Sequence, residues 1–141
     1  MFKLNTDEGQ MAVSLQDLAF VDEVAVVHES PKGFDGMFHI GPRPYYCTLG
    51  DIIPAVLEAG FVPFTIALNK EGEETAVSYI NPAKVRGLKL CGEDYDIKTS
   101  RIPKTILVID HLHSGGIFDP ARMAQVGVFE DMDTVIQMLE A

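Results

Sequence analysis

The sequence predicts an α+β protein in which one antiparallel β-sheet unit (a β-hairpin, further strands and a short helix) occurs twice around a pseudo-two-fold axis. Three observations lead to this prediction: the chain matches itself at an offset of 64 residues, strand-like apolar runs dominate each half, and each half ends in an amphipathic segment. The 141 residues, 47% of them apolar, suit one compact domain. We expect a first repeat over residues 1–60 and a second over residues 61–141, both sharing one core.

The internal repeat is inferred from identities between the halves. At the offset of 64, seven of the eighteen positions from 4 to 21 are identical, where chance gives about one. The offset then grows to 69, where residues 37–40 match residues 106–109, and to 82 at the end of the chain. The last step of thirteen residues predicts an inserted loop within residues 111–125 of the second repeat.

Each repeat is expected to begin with a hairpin, because an acidic turn with a glycine separates two strand-like runs near residues 5–10 and again near 69–73. Longer strands follow, in the β-branched run that begins at Val21 and in the alternating segment from Val85 to Leu90.

A short helix is expected to close each repeat. Apolar residues at helical spacing, with Gly60 as the C-terminal stop, predict the first helix over residues 51–59. Pro54 is compatible with this helix only in its first turn. The same apolar stripe predicts a second helix from Met132 to Leu139.

Composition and charge narrow the classes of function. Twenty-one acidic residues against eleven Lys and Arg give a formal charge of −10, which disfavours generic binding to nucleic acid or to an anionic membrane. No apolar run approaches the ~20 residues of a membrane helix, and the N-terminus lacks the features of a signal peptide, so we expect a cytoplasmic protein. Cys47 and Cys91 are expected to be reduced, buried thiols.

A cluster of basic residues departs from this acidic average. Six of the eleven Lys and Arg residues lie between positions 84 and 104, where only three acids occur. The candidate ligand-binding residues there are Lys84, Arg86, Lys89 and Arg101, because cations on adjacent strands can hold a phosphate or a carboxylate. A solvated strand face with a basic turn explains the pattern equally well.

A second candidate contact patch is the segment Pro42-Arg43-Pro44-Tyr45-Tyr46, which we interpret as a stiff, exposed turn. Arg43 and Tyr45 are its candidate binding residues, because a guanidinium beside aromatic rings suits a protein surface or a planar ligand. Tyrosines at the start of a strand are also ordinary sheet residues, so both interpretations stay open.

Asp110, His111 and His113 follow a predicted strand and begin the inserted loop. Histidines at positions i and i+2 of an extended segment point to the same side, which would make half of a site for a divalent metal. The spacing matches no known metal motif, and solvated loop histidines are the ordinary explanation. This segment is the basis of an alternative function, a small metal-dependent hydrolase.

The rest of the sequence lacks a recognisable catalytic or cofactor motif. We therefore expect a non-enzymatic binding module without a cofactor, which holds a partner protein or a small anionic ligand and could act as a small accessory or inhibitor protein by sequestration. Apolar and edge surface that one small domain does not cover favours a homo-oligomer, with a two-fold dimer as the default.

Overall fold

The computed structural model describes residues 1–23, 33–40, 43–67, 75–90, 104–110 and 123–141. Within these ranges, ten strands form one antiparallel sheet accompanied by two α-helices, which confirms the predicted α+β class. The first half contains β1 (Phe2–Thr6), β2 (Gly9–Val13), β3 (Phe20–Glu23), β4 (Gly36–Ile40), β5 (Arg43–Cys47) and α1 (Leu49–Glu58). The second half contains β6 (Val62–Ala67), β7 (Thr75–Ile80), β8 (Val85–Leu90), β9 (Thr105–Asp110), β10 (Met123–Val128) and α2 (Met132–Glu140).

Both helices form close to where their apolar stripes predict them. Helix α1 begins at Leu49, two residues earlier than expected, so Pro54 lies in its second turn, where it donates no backbone hydrogen bond. The helix ends as predicted: Gly60 adopts a φ of +96°, and the N–H of Phe61 donates to the carbonyl of Val56 at 2.9 Å. Neither helix, nor any other in the described ranges, is long and apolar enough to cross a membrane.

Strand order repeats between the halves. The sheet runs β2-β1-β5-β4-β3-β7-β6-β10-β9-β8, so the order of the first five strands recurs when β6 to β10 are matched with β1 to β5. The halves meet where β3 pairs with β7. These two strands are not counterparts of each other, because β3 corresponds to β8 and β7 corresponds to β2. A two-fold axis between the halves would pair a strand with its own counterpart. The expected pseudo-two-fold relation is therefore not met, and the halves are joined head to tail.

The pairing of the strands also corrects the sequence register. Val13 pairs with Phe2 at the end of the first hairpin, and Ile80 pairs with Val62 at the end of the second, so Val13 and Ile80 are counterparts at an offset of 67. Val77, the residue matched at the offset of 64, lies three positions earlier. A shift by an odd number of residues turns side chains to the other face of a strand. The five identities whose residues are both described therefore do not occupy equivalent positions.

The offset of 69 does agree with the pairing of β4 and β9. Gly36 in β4 pairs with Cys47, the last residue of β5, and Thr105 in β9 pairs with Val128, the last residue of β10. Gly36 and Thr105 are therefore counterparts, and so are Phe38 and Leu107 two residues further along.

Buried apolar side chains form two clusters, on opposite faces of the sheet. Val21 belongs to the first cluster, whereas the preceding residue, Phe20, packs against the second, and successive strand residues point to opposite faces. We expected one core shared by both halves. The structure has two clusters instead, and they adjoin at β3 and β7. The first cluster contains Leu4, Val13, Leu18, Val21, Phe38, Cys47, Ile52, Val56 and Phe61, and the second contains Ala19, Phe64, Ile80, Leu107, Ile109, Val128 and Val135.

Candidate functional site

A cleft of about 430 Å³ lies where the two halves meet, and we call it the junction cleft. One wall is formed by the 3₁₀ turn Leu15–Asp17 and the other by the 3₁₀ turn Pro82–Lys84, which precede β3 and β8. Its volume falls within the ~300–1,000 Å³ range of small-molecule sites. The lining residues are Gln16, Asp17, Ala59, Phe61, Asn81, Ala83 and Lys84.

Asn81 holds the two walls of the junction cleft together. Its side-chain amide donates hydrogen bonds to the carbonyl oxygens of Gln16 at 3.2 Å and Leu18 at 3.1 Å. Its side-chain oxygen accepts a hydrogen bond from the backbone N–H of Ala83 at 3.1 Å, and only 8% of the residue is exposed. Because both donors and the oxygen are already bonded, Asn81 fixes the shape of the cleft rather than contacting a ligand.

Two side chains of opposite charge reach the junction cleft from matching positions. Asp17 ends the first 3₁₀ turn and Lys84 ends the second, and each backbone N–H donates to the carbonyl three residues earlier, at 3.1 and 3.0 Å. Asp17 is exposed, whereas Lys84 is half-buried. Lys84 is the basic residue among those that line the cleft, and an ammonium group can bind a carboxylate or a phosphate.

Of the other basic candidates, Arg86 and Lys89 do not line the cleft. Arg86 is bound within the fold: its Nη1 donates to the carbonyl of Ala83 at 2.9 Å, and its Nη2 lies 3.6 Å from Oδ2 of Asp110. Lys89 is exposed on β8, the last strand of the sheet. Arg101 lies outside the described residues.

The segment containing Arg43 and Tyr45 forms strand β5 rather than the turn that the sequence suggested. Arg43 forms an ion pair with Glu8, and its guanidinium carbon lies 5.0 Å from the centre of the Tyr45 ring. That ring stacks on Phe38 with 5.7 Å between centroids. Strands β5 and β8 are seven strand spacings apart, about 34 Å along the sheet, so these two residues do not join the basic residues of β8.

The candidate metal ligands are described only in part. His111 and His113 lie outside the described residues, and Asp110 ends β9 beside Arg86. Within the described ranges, no group of three or more His, Cys, Asp or Glu residues could hold a metal ion.

Cys47 is a fully buried thiol. Burial, together with the carboxylates of Asp35, Asp51 and Asp7, raises the pKa of Cys47 to about 12. The thiol is therefore protonated at neutral pH, and it is not activated as a nucleophile.

Asp22 is a second titratable group in the sheet, and the sequence analysis missed it. It pairs with Ser78 where β3 meets β7, and the Ser78 hydroxyl donates a hydrogen bond to its Oδ1 at 2.5 Å. Burial raises the pKa of Asp22 to about 6, against the lowering effect of that hydrogen bond. An acid directly after the apolar residues Ala19, Phe20 and Val21 was the available signal.

No model of a protein family, no curated protein and no solved structure matches the chain significantly.

Proposed function

We propose that this protein is a non-enzymatic binding module that holds a small anionic ligand in the junction cleft. The observation that carries the proposal is the half-buried Lys84 in a cleft of about 430 Å³ whose walls are fixed by Asn81. A preformed site of this kind needs little reorganisation to bind.

The charges around the cleft narrow the class of ligand. The protein carries a formal charge of −10, so attraction of an anion depends on short-range contact with Lys84 rather than on the long-range field. Asp17 on the facing wall repels a second anionic group and accepts hydrogen bonds. These features favour a ligand with a carboxylate or phosphate at one end and an amine or hydroxyl at the other.

The groups available in the cleft suit binding better than catalysis. The amide of Asn81 is occupied by hydrogen bonds within the protein, and Lys84 and Asp17 come from opposite walls of the cleft. The thiol of Cys47 is buried elsewhere and protonated. Sequestration of a small molecule is the role consistent with these residues.

We also infer that the two halves arose by duplication of one unit. The recurrence of the strand order and the matching 3₁₀ turns support this origin. An experimental structure tests it: Val13 should superpose on Ile80, and Asp17 on Lys84, when the halves are overlaid.

Thermal unfolding with a ligand panel tests the binding proposal. The panel contains inorganic phosphate, amino acids, hydroxy acids and nucleoside phosphates, and a ligand at a hundred times its Kd adds about 2.7 kcal/mol of stability. The Lys84→Gln variant is expected to lose the stabilisation, whereas Lys89→Gln, which removes an equal charge outside the cleft, is expected to keep it. Equal losses in both variants would indicate general electrostatic attraction and contradict the proposal.

A further inference from the structure

The two outer strands of the sheet are counterparts of the two strands that meet at its centre. Among the described residues, β2 is paired only with β1, and β8 only with β9. At the centre, their counterparts β7 and β3 pair with each other. We propose that β8 of one molecule pairs with β2 of a second molecule, so that copies of this chain assemble head to tail through a repetition of the internal junction.

The counterpart residues define the register of this contact. At the junction, Val21 pairs with Tyr79. Leu88 is the counterpart of Val21, because Leu88 pairs with Leu107 as Val21 pairs with Phe38. At the offset of 67, Ala12 is the counterpart of Tyr79. Leu88 of one molecule therefore faces Ala12 of the next in an antiparallel pair.

The backbone groups at these positions point towards the outer edges. At the junction, the N–H of Asn81 donates to the carbonyl of Ala19 at 2.8 Å. Bonded and non-bonded pairs alternate along an antiparallel ladder, so Val21 and Tyr79 form the next bonded pair. By the same alternation, the N–H and C=O of Leu88 and Ala12 point away from β9 and β1. Outward-pointing groups on an edge strand are a template for another strand.

A second cleft lies beside β2 and matches one half of the junction cleft. It has a volume of about 510 Å³ and is lined by Met1, Phe2, Val13, Ser14, Leu15, Gln16 and Ala59. At the offset of 67, Ser14 and Gln16 are the counterparts of Asn81 and Ala83, which line the junction cleft. The 3₁₀ turn Pro82–Lys84 of a second molecule would form the facing wall, as Leu15–Asp17 does at the junction.

Charge favours contact between unlike edges. Residues 1–17, which include β2 and its flanking turns, carry three acidic side chains and one basic one. Residues 82–90, which include β8, carry three basic side chains and no acidic one. Pairing of β8 with β2 brings opposite charges together, whereas β2 with β2 or β8 with β8 brings like charges together. We therefore expect β8 of one molecule to pair with β2 of another. A two-fold dimer would instead pair β2 with β2 or β8 with β8.

Complementary edge-blocked variants test this proposal. Ala12→Pro and Leu88→Pro each remove an N–H that points outwards, and leave the N–H groups that bond to β1 and β9. In light scattering, the wild type is expected to exceed the 15.5 kDa monomer mass, and each variant alone is expected to be monomeric. An equimolar mixture is expected to give a 1:1 dimer of twice 15.5 kDa. The Ala12→Pro variant retains an unblocked β8 edge, and the Leu88→Pro variant retains an unblocked β2 edge, so the two edges can pair.

Two results would overturn the proposal: a wild type that stays monomeric up to millimolar concentration, or a single variant that dimerises alone through like edges. Circular dichroism establishes that the variants are folded. Ala12→Lys blocks the same edge without a proline, and Gln125→Lys, which adds the same charge to the interior strand β10, is expected to leave the mass unchanged. The assay contains no ligand, so its outcome is independent of the binding proposal.

Discussion

Replacement of Asp22 by asparagine is expected to stabilise the protein at neutral pH. The carboxyl group lies in the sheet where β3 meets β7, and burial raises its pKa from 3.8 to about 6. At pH 7.5 the folded protein therefore holds a carboxylate with fewer water contacts than in the unfolded chain. The asparagine side chain has the same shape, has no charge and still accepts the hydrogen bond from Ser78.

The size of the effect follows from the pKa difference. About 1.36 kcal/mol corresponds to each pH unit, so a rise from 3.8 to about 6 corresponds to a destabilisation of about 3 kcal/mol when Asp22 is ionised in both states. The new amide donors reduce this gain, and we expect about 1–3 kcal/mol for Asp22→Asn at pH 7.5.

The dependence on pH has a definite sign. Because the folded pKa is the higher one, the folded state binds more protons between pH 4 and pH 6, and its stability rises as the pH falls through this window. The advantage of Asp22→Asn is therefore expected at pH 7.5 and is expected to vanish near pH 4.

Urea unfolding followed by circular dichroism, at several pH values from 4 to 8, measures this difference. Asp17→Asn removes a charge from an exposed carboxyl of the same half, and is the control for the general effect of net charge. The reasoning is refuted if Asp22→Asn is less stable than the wild type at pH 7.5, because the carboxylate would then have a stabilising cationic partner.

Two further substitutions test the junction and the end of α1. Asn81→Ala removes hydrogen bonds to the carbonyls of Gln16 and Leu18 and to the N–H of Ala83, and is expected to lower the free energy of unfolding by about 2–4 kcal/mol in urea titrations. A loss below about 0.5 kcal/mol would indicate that water replaces these bonds. Gly60→Ala forces a φ of +96° on a residue with a side chain and is expected to cost about 1–2 kcal/mol in the same assay, whereas an unchanged unfolding midpoint would contradict the assigned helix end.

Local patterns predicted most elements, because helices and strands depend on the spacing of nearby apolar residues. Gly60 marked the end of α1, and the alternating segment Val85–Leu90 is strand β8. Such local patterns do not determine which residues of the two halves correspond to each other. Seven residues separate β6 from β7, against two between β1 and β2, so no single offset fits both strands of the hairpins. Strand pairing, not residue identity, fixes which positions correspond.

Of the residues that line the junction cleft, the sequence singled out only the basic residue Lys84. Lys84 stood out within a basic segment, and it lines the junction cleft. Asn81 carried a local signal, since Asn before Pro82 is typical of a turn, but its bonds to Gln16 and Leu18 span more than sixty residues of chain. Contacts of that range depend on the order of the strands, which composition and periodicity do not determine.

The division of the buried residues between two faces has a consequence for how the chain folds as it is synthesised. Phe61 belongs to the first cluster and Tyr79 packs against it, so the N-terminal half emerges before its own core is complete. Ala19, which precedes β3, and Phe20 within it pack in the second cluster, whose other members lie between Val62 and Leu139. Neither half therefore completes a hydrophobic core by itself. A nascent chain that stops before β7 exposes apolar surface on both faces of β3.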